Sequence, residues 1–222
     1  MIQSIQEQWL WLRKPAMLPV FPPHEDPGGD CLLARLLVER PAQRVSDLGS
    51  WPAGFEGGIL HRLDTATSGL VVVARNHAAW EDGRVRFAGH RLRKRYVLLT
   101  DHDVPWDDSR VDHPIAHDAR RRSKMVWQRS PHTPHRGHWY ESRTDFRRLG
   151  PSGRWSAWEA VIETGVTHQI RVHAASVGLP VLGDRLYGGA PDPRRGERFY
   201  LHHRGIDGWP DSPFLEPEDW PP

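Results

Sequence analysis

Four stretches set ionisable side chains against segments that read as regular structure. The first is His61-Arg62-Leu63-Asp64, just upstream of Leu70-Val71-Val72-Val73-Ala74. That run is short, continuous and β-branched, which predicts a buried strand. A core excludes such groups unless they are paired or used. Asp64 is therefore a candidate functional group, although taken alone it fits a helix cap or a buried ion pair better. The second is Lys94-Arg95-Tyr96, within a predicted strand over 93–99. Strand alternation puts Lys94 and Tyr96 on one face and Arg95 on the other. The third, Thr167 to His173, opens a predicted helix over 167–177 that Gly178 stops. His168 and Arg171 are three apart and share a face. The fourth is the turn Gly183-Asp184-Arg185-Leu186-Tyr187-Gly188. His168 and His173 invite a metal reading, but five apart on a helix they do not share a face well. No Cys or acidic residue sits at ligand spacing, so no metal is expected.

The elements that position these groups follow from pattern. At 222 residues the chain can bury a sizeable core, and one domain over 1–222, with length enough for lobes, is expected. Residues 8–20 read as a strand running into an extended Pro-containing segment. Asp30 is positioned to cap a helix over CLLARLLVER, whose Leu32, Leu33, Leu36 and Leu37 form one stripe. Residues 41–57 read as loop and 77–86 as a short helix. Residues 101–155, polar and rich in Arg, His and Pro, suggest hairpins and a long insertion. Residues 156–163 read as a strand and Thr164-Gly165 as a turn. GLPVLGDRLYGG is a tight connection, ERFYLHHRGI a final strand, and 209–222 an irregular tail. Strands and helices mix without regular βαβ alternation, which favours α+β with a mixed or antiparallel sheet.

The formal charge is only +2, so the chain is no global polycation. Yet 27 of its 30 basic residues are arginines. Arginine forks suit phosphates and stack on bases. Codon bias explains such a total equally well, so clustering is the better guide. Arg84, Arg86, Arg91, Arg93, Lys94 and Arg95 form one cluster. Arg120, Arg121, Arg122, Lys124 and Arg129 form another, near Trp127, His132 and His135. Phosphate contact by these groups would give salt-dependent affinity. The single cysteine, Cys31, excludes an internal disulfide and fits a reducing cytoplasm. The N-terminus lacks a signal-peptide layout, and no apolar run approaches membrane-spanning length. A soluble cytoplasmic protein is expected.

The segment Leu60 to Ala74, LHRLDTATSGLVVVA, resembles the signature of the RluA-type RNA pseudouridine synthases. Arg13-Lys14-Pro15 with Leu18-Pro19-Val20 is similar to that family's opening Lys-Pro segment. Lys94-x-Tyr96 resembles its Lys-x-Tyr strand, and Thr164 to His173 its second long motif. Gly183-Asp184-x-x-Tyr187-Gly188 and Leu201-His202 resemble its closing pieces. The pieces occur in the family's order between about residues 13 and 202. Three positions depart from the pattern: Val166 stands where the family usually has Arg, Met17 where it has Gly, and His203 where it has Ala.

The resemblance implies an α+β pseudouridine synthase fold. Its features are a long mixed, mostly antiparallel sheet, flanking helices and loops, and a central RNA-binding cleft. It implies isomerisation of uridine to pseudouridine in ribosomal or transfer RNA, without metal or cofactor; some relatives carry a small N-terminal RNA-binding domain, for which no room is expected in this chain. By resemblance Asp64 is catalytic and Arg171 is its salt-bridge partner. Tyr96 packs against the target uracil and serves proton removal from C5. Arg62 fills the space that a flipped base leaves in the stack. His61, Lys94, Thr67 and His168 fall on the substrate-binding side. The expected partner is RNA, with no DNA and no membrane, and the expected state a monomer. Two other readings stay open: an RNA-binding protein that kept the fold and lost activity, and a two-carboxylate glycosidase. The latter needs a second acid facing Asp64, for which Glu163 and Asp184 are the candidates by motif.

Overall fold

A computed structural model describes residues 1–89, 92–196, 198–218 and 220. In chain order its elements are β1 (Ile2–Ile5), β2 (Trp9–Lys14), α1 (Leu32–Glu39), β3 (Ser68–Ala74), α2 (His77–Ala88), β4 (Arg93–Thr100), β5 (Asp108–Val111), β6 (Ile115–Asp118), β7 (Met125–Trp127), β8 (His135–Tyr140), β9 (Thr144–Ser152), β10 (Trp155–Ile162), α3 (Gln169–Ser176) and β11 (Leu201–Asp207). The fold is α+β. An eight-stranded, mostly antiparallel sheet has the order β1-β2-β3-β11-β4-β10-β9-β5, and a three-stranded sheet the order β7-β6-β8. The chain divides into two compact units, Met1–Leu92 with His203–Glu216, and Arg93–His202 with Pro217–Pro222. No helix among the described residues is long and apolar enough to cross a membrane.

In the first unit β2 runs antiparallel to β3, with Leu12 opposite Val71 and Leu10 opposite Val73. Both strands are nearly continuous apolar runs, as strands covered on both faces are. Trp9, Trp11, Leu70, Val72 and Ala74 join Ile206, Trp209 and Leu215 in one core. Residues 208–218 carry no helix or strand, yet the Trp209 ring packs edge-on against Trp9 at 4.8 Å. The N-terminal strand β1, which the sequence pattern does not announce, forms a hairpin with β2. One 3-10 turn, Pro41–Arg44, lies inside the expected loop and a second, Glu56–Gly58, straddles its end. Asp30 does not cap α1. Cys31, extended at φ −153°, is the cap, and its Sγ accepts from the Ala34 amide at 3.3 Å. The Asp30 carboxylate instead takes the Arg35 guanidinium, with Nε at 2.9 Å, a stronger donor than an amide. Asn76 caps α2 through the Ala79 amide at 2.8 Å.

In the second unit β10 is paired on both sides, with Glu159 opposite Val97 of β4 and Arg147 of β9. The buried Glu159 carboxylate accepts from Arg95 Nε at 2.9 Å and from an Arg147 terminal nitrogen at 3.0 Å. The stretch 101–155 resolves into five strands, β5 to β9. α3 is shorter than the pattern predicts. His168 adopts left-handed backbone at φ 57° and so ends the helix N-terminally, at Gln169. Ile115, Met125 and Val172 form a small core against which Val166, Trp127 and Tyr187 pack.

Candidate active site

Asp64 lies in the first unit, half-buried, on the turn that leads into β3. The Thr67 amide closes that turn onto the Asp64 carbonyl at 3.0 Å. What fixes the turn is Lys14, fully buried at the end of β2. Its Nζ donates to three backbone carbonyls: Leu18 at 2.6 Å, Pro15 at 3.0 Å and Thr65 at 3.0 Å. One cation thus ties the Pro15–Leu18 segment to the residue after Asp64. Burial pushes the Lys14 ammonium down to about 7, and the charge of Asp64 opposes that shift. The sequence motif contained Lys14 but gave no sign that it is the neighbour of Asp64.

Thr67 is buried within the turn and Arg62 is exposed beside it. His61 sits otherwise than as a simple substrate ligand. Its Nε2 accepts the Val72 amide at 3.2 Å, and its ring lies 5.4 Å from Phe87 and 5.6 Å from His203. His61 therefore continues the edge of β3 with a side chain. Gly69 follows at φ 125°, and a Cβ there would meet the His203 carbonyl at 2.2 Å. The Thr-Ser-Gly step needs glycine because β11 passes this close.

Tyr96, Arg171, Lys94 and His168 belong to the second unit. Tyr96 is buried in β4 opposite Ala160. Lys94, two residues earlier, is also buried; burial alone pushes its ammonium down to about 8. Its Nζ lies against Gly165, where an added Cβ would stand 2.9 Å away. Arg171 of α3 is held by side chains. Its Nε and a terminal nitrogen form a fork on the buried Asp184 carboxylate at 2.7 and 2.9 Å. Its guanidinium lies over the rings of Tyr187 at 5.0 Å and Phe199 at 5.3 Å. The Tyr187 hydroxyl takes the Met125 amide at 2.9 Å and meets His168 Nδ1 at 2.8 Å. The second long motif and the Gly-Asp-x-x-Tyr-Gly turn are thus one network.

Asp184, a candidate second acid, is committed to Arg171 and to the Leu186 amide. His173 is buried between Thr144 Oγ1 at 2.8 Å and the His113 carbonyl at 2.9 Å. Burial pushes its imidazole down to about 4, so it pins α3 as a neutral ring. Among the described residues no three His, Cys, Asp or Glu side chains converge as a metal needs. Val166, where the resemblance leads one to expect Arg, covers the small core of Ile115, Met125 and Val172.

The two basic clusters differ. In the first, Arg86 pairs with Asp82 at 2.8 Å, Arg95 with Glu159, and Lys94 is buried. Arg91 lies outside the described residues. In the second, Arg120, Arg121 and Arg122 are exposed on the turn between β6 and β7.

The family model described as RNA pseudouridylate synthase matches residues 8–176. The ribosomal large subunit pseudouridine synthase D of Zymomonas mobilis subsp. mobilis is 34% identical over 183 residues, 82% of this chain and 54% of that protein. An RNA pseudouridine synthase of Chloroflexus aurantiacus is 35% identical over 193 residues, 85% of this chain and 55% of that protein. The chain spans about half the length of these curated relatives. Among solved structures, human RNA pseudouridylate synthase domain containing 1 shares the fold, with a TM-score of 0.74 at 23% identity, over 100% of this chain and 87% of that one. With a family model that covers most of the chain and relatives alike over four-fifths of it, this chain belongs to the RNA pseudouridylate synthase family.

Proposed function

We propose that the protein converts specific uridines of structured RNA, ribosomal or transfer, to pseudouridine. The observation that carries this reading is Asp64 on a turn that a buried cation pins at its backbone, within the family's signature segment. In the reaction the bond from uracil N1 to ribose C1′ breaks and the base turns. C5 then joins C1′, C5 gives its proton to solvent and N1 gains one. No electron leaves or enters, so the isomerisation balances without a cofactor.

Asp64 acts at the sugar as nucleophile or base while the base is detached. Arg171 serves as the partner that orients that carboxylate, the role the resemblance implies. Tyr96 packs against the uracil and assists loss of the C5 proton, and exposed Arg62 fills the gap that the flipped nucleotide leaves. Lys94, Thr67 and His168 support the substrate pocket, and His61 does so through the edge of β3. The enzyme works as a cytoplasmic monomer.

The test uses RNA labelled with tritium at uracil C5, from cells that lack the modification. The wild type should release tritium to water and Asp64→Ala should release none. If neither does while both bind RNA, the protein is an RNA-binding member of the family without activity. Sugar release in place of tritium release would turn the reading to a glycosidase.

A further inference from the structure

The second unit holds a feature that the reaction does not use. Among the described residues, no hydrogen bond or ion pair engages the guanidinium groups of Arg120, Arg121 or Arg122. The acid beside them, Asp118, turns its carboxylate to the Arg120 and Arg121 amides at 2.8 and 2.7 Å. Those amides, with a smaller part from the charges of Lys124 and Arg121, hold its carboxyl below the usual range, and its hydrogen bonds go to the main chain of the turn.

Next to this turn lies a solvent-open hollow of about 420 Å³, lined by His117, Arg122, Arg136 and Gly137. Arg136 is fixed by its Nε on the Asp118 carbonyl at 2.8 Å, which leaves its terminal nitrogens for a ligand. Gly137 has φ 73°, and a Cβ there would meet nothing within 4 Å, so the backbone is open to close approach. The pairing of β6 with β8 slips here: Ile115 faces Tyr140, whereas His117 faces Arg136. Three residues of β8 therefore stand against Ala116 alone. Bulges of this kind re-aim side chains beside binding sites. This one gathers the His135 and Trp139 rings to 4.3 Å, and the His138 and Tyr140 rings to 4.0 Å.

Two guanidinium groups and an imidazole around an open backbone floor match a phosphodiester. Aromatic pairs on the same strand, β8, match a nucleobase, which stacks irrespective of sequence. An acidic peptide would satisfy the cations but not the rings. We propose that this hollow seats a backbone phosphate of RNA, with an adjoining base stacked on the His135–Trp139 pair. It is a docking contact for the substrate, not the reacting uridine. It deepens the proposed function and rests on it for the identity of the ligand.

The experiment measures binding of a fluorescein-labelled, unmodified RNA stem-loop by anisotropy, from low to high salt. Arg122→Ala/Arg136→Ala should weaken binding about tenfold, the effect of one charge-assisted contact. The slope of log K against log salt should fall by about one. Trp139→Ala should weaken binding with the slope unchanged, because stacking releases no counterions. Arg44→Ala, an exposed charge elsewhere, should change neither. Arg122→Ala alone, at an exposed position, decides the matter if the double variant melts early. Wild-type affinity and slope in the arginine variants would overturn the docking site, whatever the tritium assay gives. Tritium release by the wild type with such unchanged binding would sink the site and leave the synthase reading standing. Binding that depends on Arg122 and Arg136 without tritium release would do the reverse. No binding of RNA by the wild type would remove both.

Discussion

The first unit holds Asp64 through main chain, and the second holds Arg171 through side chains. Lys14 grips three carbonyls, whatever side chains residues 15, 18 and 65 carry. Arg171 needs a carboxylate at 184 and rings at 187 and 199. A main-chain clamp fixes the path of a turn and leaves its side chain able to react. A side-chain fork fixes the reach and charge of one group. A carboxylate that must form or release a bond suits the first kind of support; a cation that must keep its place suits the second.

The comparison breaks first, and hardest, at Arg171. Arg171→Met leaves the Asp184 carboxylate buried without its partner. It should cost about 4 kcal/mol in urea unfolding and abolish tritium release. If stability survives while release is lost, the fork is not what holds the second network together. Lys14→Met should cost about 3 kcal/mol, roughly one for each carbonyl left without a donor.

The same variant tests the sign of the pH dependence. The unfolded chain keeps its lysine proton up to about 10.5, whereas the fold releases that of Lys14 from about 7. Over that window the unfolded state binds more protons, so stability rises with pH. Lys94, lowered to about 8, adds a slope of the same sign only above that value. Removing Lys14 should therefore flatten the stability curve between about pH 7 and 8. An unchanged slope there would mean that Lys14 does not titrate in the window. The smallest effect is expected at His61, whose ring supports one amide. His61→Phe should cost about 1 kcal/mol and speed hydrogen exchange at the Val72 amide above that of its strand neighbours.

The second network was partly legible in the sequence because side-chain partners leave residue types behind. His168, Arg171, Asp184 and Tyr187 all stand within motif segments, although the fork between Arg171 and Asp184 spans a turn that spacing alone does not close. The Lys14 clamp was not legible, since every residue carries a carbonyl and the acceptors have no sequence mark. The strands β3, β4 and β10 could be read from long apolar runs. β6 and β7, of four and three residues, are too short to show a period. Asp30 looked like the stronger cap, but a guanidinium one turn ahead took its carboxylate and left the thiol of Cys31 to cap α1. The bulge at Gly137 depends on a register slip that no local pattern announces.

Glu159, held by Arg95 on one side and Arg147 on the other, also bears on how the sheet assembles. Sliding β9 by a single residue past β10 would turn Arg147 to the opposite face and take its hydrogen bond away from that buried carboxylate. A misaligned pairing thereby carries an electrostatic penalty as well as a packing one. One acidic residue in the middle strand thus acts as a proofreader of alignment for the strands on both its flanks.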